Sequence, residues 1–195
     1  MELKELVRKN RSYRRFQQEV PIRLETLKQL VDLARLSASA ANKQALKYIL
    51  IADPQKNAQV FPCLGWAGYL PDWPGPAKGE RPAAYIVILE DTNIGQAADC
   101  DHGIAAQSIL LGATEQGLGG CMMGSIQKEK LSQVLAIPTF CKILLVLALG
   151  KPKEQIEIEA IGPEGAIKYW RCSDNIHHVP KRSLQEIIIN QKEEY

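Results

Sequence analysis

Two short, dense apolar runs limit most strongly what this chain can fold into: Ala84-Tyr85-Ile86-Val87-Ile88-Leu89 and Ile143-Leu144-Leu145-Val146-Leu147-Ala148-Leu149. Each is strand-sized, and the longer one falls well short of the ~20 apolar residues that a membrane span needs. Both read as β-strands, with residues 142–149 as a central one. Tyr48-Ile49-Leu50-Ile51-Ala52 reads as a third. Such strands must be covered by helices, and the spacing of Leu24, Leu27, Leu30, Val31 and Ala34 predicts one from Leu24 to Leu36. Another is expected from Asp99 or Asp101, either of which could cap it, through Ile104-Ala105-Ala106-Gln107-Ser108-Ile109-Leu110-Leu111 to about Gln116. It is apolar nearly all round, so it should be buried. Gly117-Leu118-Gly119-Gly120 stops it, and an amphipathic helix follows from Lys128 to about Ala136. Ser183-Leu184-Gln185-Glu186 has the form of a capping box ahead of Ile187-Ile188-Ile189.

The balance of residues narrows the class. A chain of 195 residues, 46% hydrophobic and 24% charged, reads as one domain over residues 1–195. Its formal net charge of +2 does not suggest a nucleic-acid or membrane partner, so any basic site must be local. The start of the chain reads as a charged helix, not a signal peptide, and the protein is expected to be soluble and cytoplasmic. Cys63, Cys100, Cys121, Cys141 and Cys172 are odd in number, scattered and free of any CxxC pair, which argues against a disulfide framework and a structural zinc site.

Several segments could carry chemistry. Arg11-Ser12-Tyr13-Arg14-Arg15-Phe16 follows the amphipathic Leu3-Lys4-Glu5-Leu6-Val7. If the helix continues, guanidinium groups and a hydroxyl fall within one or two turns, either as a phosphate socket or as a solvated basic face. Ser37 to Gln44 is a run of small and amide residues, in which Ser39, Asn42 and Gln44 could line a planar ligand or simply end a helix. Gly117 to Ser125 could turn backbone N–H groups toward a ligand, with Gly124 and Ser125 at its turn, but it lacks the dinucleotide fingerprint. Lys181 and Arg182 could add phosphate charge or be solvated. From 61 to 82 runs a lid-like insertion with Trp66, Tyr69 and Trp73, whose aromatics could shape a pocket or pack the loop onto the body.

In order and spacing these segments resemble the nitroreductase family of FMN-dependent NAD(P)H oxidoreductases. Arg11-Ser12-Tyr13-Arg14 resembles the family's opening Arg-x-Ser-x-Arg-like segment. Ser39-Ala40-Ala41-Asn42-Lys43-Gln44-Ala45-Leu46 resembles its Ser-x-x-Asn-x-Gln-Pro-Trp pattern with the Pro-Trp pair absent. Asp101 to Ser108, Gly117 to Ser125 and Gly150-Lys151-Pro152 follow in family order.

The resemblance implies an α+β fold, a mixed, largely antiparallel sheet flanked by helices, in an intertwined homodimer with FMN at the subunit interface. Ile187-Ile188-Ile189 would then pack on the partner. It implies that Arg11, Ser12 and Arg14, with Lys181 or Arg182, hold the phosphate. Asn42 and Gln44, near Ser39, would meet the flavin or ribityl edge, and backbone N–H groups around Gly124 and Ser125 would face the ring. NADH or NADPH would supply a hydride, passed by a ping-pong route to an electron-poor acceptor such as a nitroaromatic or quinone. The flavin carries this chemistry, so no catalytic side chain and no metal are expected. Trp66, Tyr69 and Trp73 would shape the acceptor pocket. The alternatives are a same-fold flavin enzyme performing dehalogenation or flavin fragmentation, and a non-catalytic flavin- or nucleotide-binding sensor. Asp99, Cys100, Asp101 and His102 point in different directions along a helix start and read as a cap. His177-His178 reads as a surface turn or strand, and Cys121 as a small buried apolar residue.

Overall fold

The computed structural model describes residues 1–96, 99–174 and 176–189. Its elements are α1 (Leu3–Lys9), β1 (Phe16–Gln17), α2 (Leu24–Leu36), β2 (Leu46–Ile51), α3 (Pro54–Val60), β3 (Ala84–Asp91), α4 (Asp101–Glu115), β4 (Gly119–Met123), α5 (Lys128–Leu135), β5 (Cys141–Pro152), β6 (Ile156–Ala160), β7 (Trp170–Arg171), β8 (His177–Lys181) and α6 (Leu184–Ile187).

The two apolar runs form the centre of the main sheet. β3 lies between β2 and β5, and β5 also pairs with β4 and β1, every pairing being antiparallel. All of β3 is buried, because helices cover both faces of the sheet. Ile86, Ile88, Leu147 and Leu149 face α2 and α4, where Leu27, Leu30, Ile109 and Ala113 meet them. Tyr85, Val87, Val146 and Ala148 face the other way, onto Val60 of α3 and Leu131 of α5. Each fully buried large side chain contributes roughly 1.5–3 kcal/mol, so this three-layer core is the main source of stability. A register shift between Ile88 and Leu89 returns Ile143 to the α5 side after Leu145 and Leu147 have faced α4. A smaller sheet follows, with β8 parallel to β6 and antiparallel to β7. The fold is thus α+β with a mixed, mainly antiparallel pairing.

The structure differs from the sequence expectations in four local features. The arginine segment is extended, since α1 ends at Lys9 and Ser12 bridges Gly120 of β4. Neither Asp99 nor Asp101 caps α4. Cys100 holds that position without a side-chain bond, while the buried Asp101 carboxylate accepts from Ala40 N at 3.0 Å. His177 is not on the surface but only 1% exposed. The capping box of Ser183 and Glu186 is present, yet the helix it starts covers only Leu184–Ile187.

The long 61–82 segment is pinned at both ends. Leu64 bridges Ile126, and Gly65 N donates to Ser125 O at 2.8 Å; a Cβ on Gly65 would lie 2.4 Å from Ser125 Oγ. At the far end Arg15 grips Glu80 through two bonds of 2.7 Å, and Lys153 adds a third at 3.1 Å. Arg15, opposed by burial and helped by Lys153, holds the Glu80 carboxyl down to about 2. Its folded value lies below the unfolded one, so the pair stabilises the fold fully above about pH 4.5 and loses that contribution as pH falls toward 2. Glu80→Gln should therefore lower stability at neutral pH and flatten its acid dependence between those values. Urea denaturation across that range checks this, and a slope unchanged by the substitution would contradict it.

Candidate functional site

The extended course of residues 11–15 depends on Glu154. Its carboxylate accepts from Arg14 N, from Arg15 N at 3.1 Å and from Arg171 Nη2 at 3.0 Å. The backbone is thereby held against the end of β5, and the Arg14 guanidinium turns instead toward a cavity of about 340 Å³. Arg11, Ser12, Arg14, Met122, His177 and Lys181 are among its lining residues. Gly120 permits the approach, because a Cβ there would sit 2.6 Å from Leu110 of α4 and 2.8 Å from Ala148 O.

The cavity is cationic and poorly neutralised. Among the described residues no carboxylate pairs with the Arg11, Arg14 or Lys181 side chain. Arg11 donates to Val7 O at 2.9 Å and Arg14 to Ser12 O at 3.2 Å, while Arg11 Nε is buried without a partner. Burial lowers the Arg11 pKa from its ordinary value. Arg14 also lies 4.8 Å from the centre of the Tyr169 ring, and its Nη1 is 3.4 Å from His177 Nε2. His177 stays neutral beside these cations. Burial first, then Arg14 and Arg171, pushes it down to about 4, and its Nδ1 is a further buried atom without a partner.

Lys181 and Arg182 divide between two faces. His177, Val179 and Lys181 alternate along β8 and all line the cavity. Arg182, just beyond the strand, extends toward Glu186 at 3.5 Å.

Ser39 and Gln44 line a second cavity of about 140 Å³ with Asp101 and Ala105 of α4. Ser39 Oγ accepts from Gln44 N at 3.2 Å, and Gln44 Nε2 donates to Asn42 O at 3.3 Å. Ala41, Asn42 and Gln44 have φ of 50°, 53° and 53°, three non-glycine residues at positive φ around a right-handed Lys43. Such conformations cost of order 1–3 kcal/mol each and gather at sites where geometry matters more than stability. α4 supplies Asp101 and Ala105 here and Gln107 and Leu110 to the arginine cavity, so it separates the two within one chain.

Gly124 continues the alternation of β4. Cys121 and Met123 are buried, whereas Met122 lines the arginine cavity and Gly124, two residues on, is exposed with open space at its Cβ position. Ser125 is committed to the loop through its bond from Gly65. In that loop Trp66 stacks on Phe61 at 5.5 Å and packs on the core, while Gly75 lies against its ring. Tyr69 and Trp73 instead line an open cavity of about 430 Å³ with Arg171, which lies 4.9 Å from the Trp73 ring centre. Tyr169 connects the regions: it lines the arginine cavity, its ring is 4.9 Å from that of Tyr69, and its hydroxyl accepts from Tyr69 N at 3.3 Å.

Tyr169, Met122, Gln107 and the inward-facing His177 were not anticipated from sequence. For His177 a signal existed, since a period of two counted back from Lys181 places it on the cavity face. Tyr169 follows a stretch without regular structure and offered none. Asp99, Cys100, Asp101 and His102 form no metal site, and no group of ligand-type side chains suited to a metal occurs among the described residues.

The family model for the Nitroreductase family matches residues 7–67 and 73–151, well over half of the 195 residues. The chain belongs to the nitroreductase family. It is similar to an FMN reductase (NADPH) of Bacillus subtilis, 27% identical over 162 residues, with 76% of this chain and 65% of that protein covered. It therefore spans just under two thirds of that relative's length. A solved nitroreductase family protein from Streptococcus pneumoniae superposes with a TM-score of 0.67 at 17% identity, covering 84% of this chain and 96% of that one. NADPH:FMN oxidoreductase of Vibrio harveyi, solved with NAD+, gives 0.64 at 22% identity over 82% and 73% of the two chains. These structures share the fold. The two matched stretches are interrupted within the aromatic loop, and the β7–β8 hairpin lies beyond them.

The buried neutral His177 has a measurable consequence. Its folded pKa is depressed below the ordinary value of 6.5, so its contribution is complete above that pH and is lost as pH falls toward about 4. His177→Gln should reduce the loss of stability between pH 6.5 and 4 without removing the core. Comparing urea midpoints of the two proteins over this range is the check, and parallel curves would contradict it.

Proposed function

We propose that this chain is an FMN-dependent oxidoreductase that carries a hydride from NADH or NADPH to an electron-poor acceptor such as a nitroaromatic or quinone, as a cytoplasmic homodimer with flavin at the subunit interface. The observation that carries the reading is the convergence of Arg11, Arg14 and Lys181 on one cavity with no carboxylate among the described residues to neutralise them. A phosphate monoester fits that donor set, since guanidinium forks match phosphate oxygens and the buried Arg11 Nε still lacks an acceptor. The family membership and the flavin reductase relatives support FMN as the phosphate's owner. FMN, when bound, would supply the redox chemistry by accepting a hydride and passing it on.

The chain's own residues then have separable tasks. Arg11, Arg14 and Lys181, with the Ser12 hydroxyl, would hold the phosphate. The exposed backbone at Gly124 is available to donate toward the ring, and Ser125 would set that turn through its contact with Gly65. Ser39, with Asn42 and Gln44 at positive φ, would present polar groups to the flavin or ribityl edge. Because α4 divides them from the arginine cavity within one chain, a second copy is the natural means of completing the site. Ile104, Leu184, Ile187 and Ile189 are 38%, 67%, 60% and 85% exposed, which supports a partner covering them.

The purified protein should be yellow, bleach with NADH or NADPH, and recover its colour with a nitroaromatic. A coloured protein that does not bleach would favour another flavin chemistry, and a colourless one that refuses added FMN would remove the reading. Replacing Arg11 and Arg14 together by Ala should weaken FMN retention at least about a hundredfold, two lost charge-assisted contacts at roughly 1.5–3 kcal/mol each, and should weaken the dimer as well. Flavin titration and sedimentation check both effects, and full occupancy in the double variant would return these arginines to surface charge.

Tyr69 and Trp73 are open to an acceptor in a way that Trp66, packed on Phe61, is not. Trp73→Ala should change kcat/KM unequally among acceptors while leaving flavin content near that of the parent. Identical acceptor kinetics would remove the aromatic loop from the substrate site.

A further inference from the structure

The small sheet has a second chemical face, turned away from the cationic cavity. β8 alternates, so if His177 points inward, His178 points outward. Trp170 is paired with His178 across the β7–β8 ladder, and Cys172, two residues beyond Trp170, falls on the same face diagonally from His178. On the opposite flank β6 runs parallel with β8, and its register sets Glu157 beside His178 and Glu159 two residues along on the same face. Three strands thus bring a thiol, an imidazole and two carboxylates together, outside every site described above.

The contacts give this cluster a direction. Glu159 Oε2 lies 3.3 Å from His178 Nδ1, and Glu159 Oε1 accepts from Trp170 Nε1 at 3.0 Å. The Trp170 indole lies flat on the imidazole, 4.1 Å between centroids at 8°. The ring is therefore fixed by a carboxylate at one nitrogen and an indole on one face, and the Cys172 thiol lies diagonally across the ladder from it on the same face of the sheet. We propose that Cys172 is a reactive thiol, activated by a His178 held by Glu159 and Trp170, and that it undergoes exchange with small disulfides in solution.

The chemistry balances without a further redox partner. The Cys172 thiolate attacks one sulfur of a small disulfide, a new bond forms from Sγ, the old S–S bond breaks, and the departing thiolate takes the proton carried by His178. The disulfide is the oxidant, and the products are a mixed disulfide on Cys172 and one free small thiol. The environment favours the thiolate, chiefly through His178 and also through backbone groups of Ile176 and Asp174, which lower the Cys172 pKa against burial and the Asp174 carboxylate. Cys172 itself, followed by Glu159 and Glu157, raises His178 in return. Arg171 belongs to the other face, engaged with Glu154. The remaining thiols differ: Cys63 and Cys121 are buried and pushed up by that burial, Cys141 is also raised, and Cys100 is exposed.

The test is a reaction of the purified protein with dithiodipyridine over a range of pH, following released thiopyridone and locating the modified cysteine by peptide mass spectrometry. One fast equivalent per chain should fall on Cys172, at least about tenfold faster than Cys100 at pH 6.5, where an ordinary thiol near 8.5 is only about 1% ionised. Its rate profile should have a midpoint below that of Cys100, a measurement on the unmodified protein that needs no variant. Cys172→Ser should abolish the fast phase with flavin content unchanged, and His178→Gln should slow it about tenfold and raise its midpoint. A fast equivalent on Cys100 or Cys141, or a Cys172 midpoint at the ordinary thiol value, would overturn the proposal.

Discussion

The position of the candidate site depends on one carboxylate. Glu154 stands just after β5, its side chain 1% exposed, and binds two consecutive backbone N–H groups of the N-terminal segment together with Arg171 of the β7–β8 hairpin. It joins parts of the chain separated by 140 and 17 positions. A buried charge of this kind is tolerated because its lone pairs are occupied, and removing one partner would leave it uncompensated at a cost of about 3–5 kcal/mol. Through this contact the central strand orients the arginines and the hairpin toward the same cavity. The sheet supplies rigidity, and Glu154 converts it into the placement of charge.

That placement is unfavourable for the chain alone. Arg11 and Arg14 satisfy part of their hydrogen-bonding capacity with the carbonyls of Val7 and Ser12, yet these are neutral acceptors. His177 avoids adding to the positive field by remaining unprotonated. The contrast with Arg15 is informative: three positions carry arginine within five residues, but among the described residues only Arg15 has a bidentate carboxylate, Glu80, and it fastens a loop. Within a single short segment, cations with no carboxylate partner among the described residues face the cavity, and a fully paired one behind it serves the architecture.

The architecture was largely legible because its signals are periodic. The apolar runs became β3 and β5, the helical spacing of Leu24 to Ala34 became α2, and Gly117 adopts a φ of 72° after α4. The candidate site was legible only as a set of motifs in order. Arg11, Ser12, Arg14 and Lys181 meet in space, but their convergence depends on Glu154, which belongs to no motif and reads in sequence as one more charged residue between β5 and β6. The helical picture of the arginine segment failed for the same reason: continuing α1 offers local hydrogen bonds, whereas the extended path gains the bridge to Gly120 and the Glu154 carboxylate, both distant in sequence. Asp101 likewise looked like a cap by composition, and a tertiary contact with Ala40 claimed its side chain instead.

Strand alternation explains why one short hairpin can serve two chemistries. Adjacent residues on β8 must face opposite sides, so the neighbouring histidines experience opposite electrostatics although they are separated by a single peptide bond. His177 lies among Arg14 and Arg171 and is driven toward the neutral form, while His178 lies beside Cys172, Glu159 and Glu157 and is driven toward the charged one. Each charge state suits its surroundings: a neutral ring avoids competing with the cations at the cavity, and a cationic ring supports the thiolate outside it. The same two-residue period selects Lys181 over Arg182 at the end of the strand, which makes the pleat of β8, and not the amount of basic charge near the C-terminus, the feature that decides which cation reaches the site.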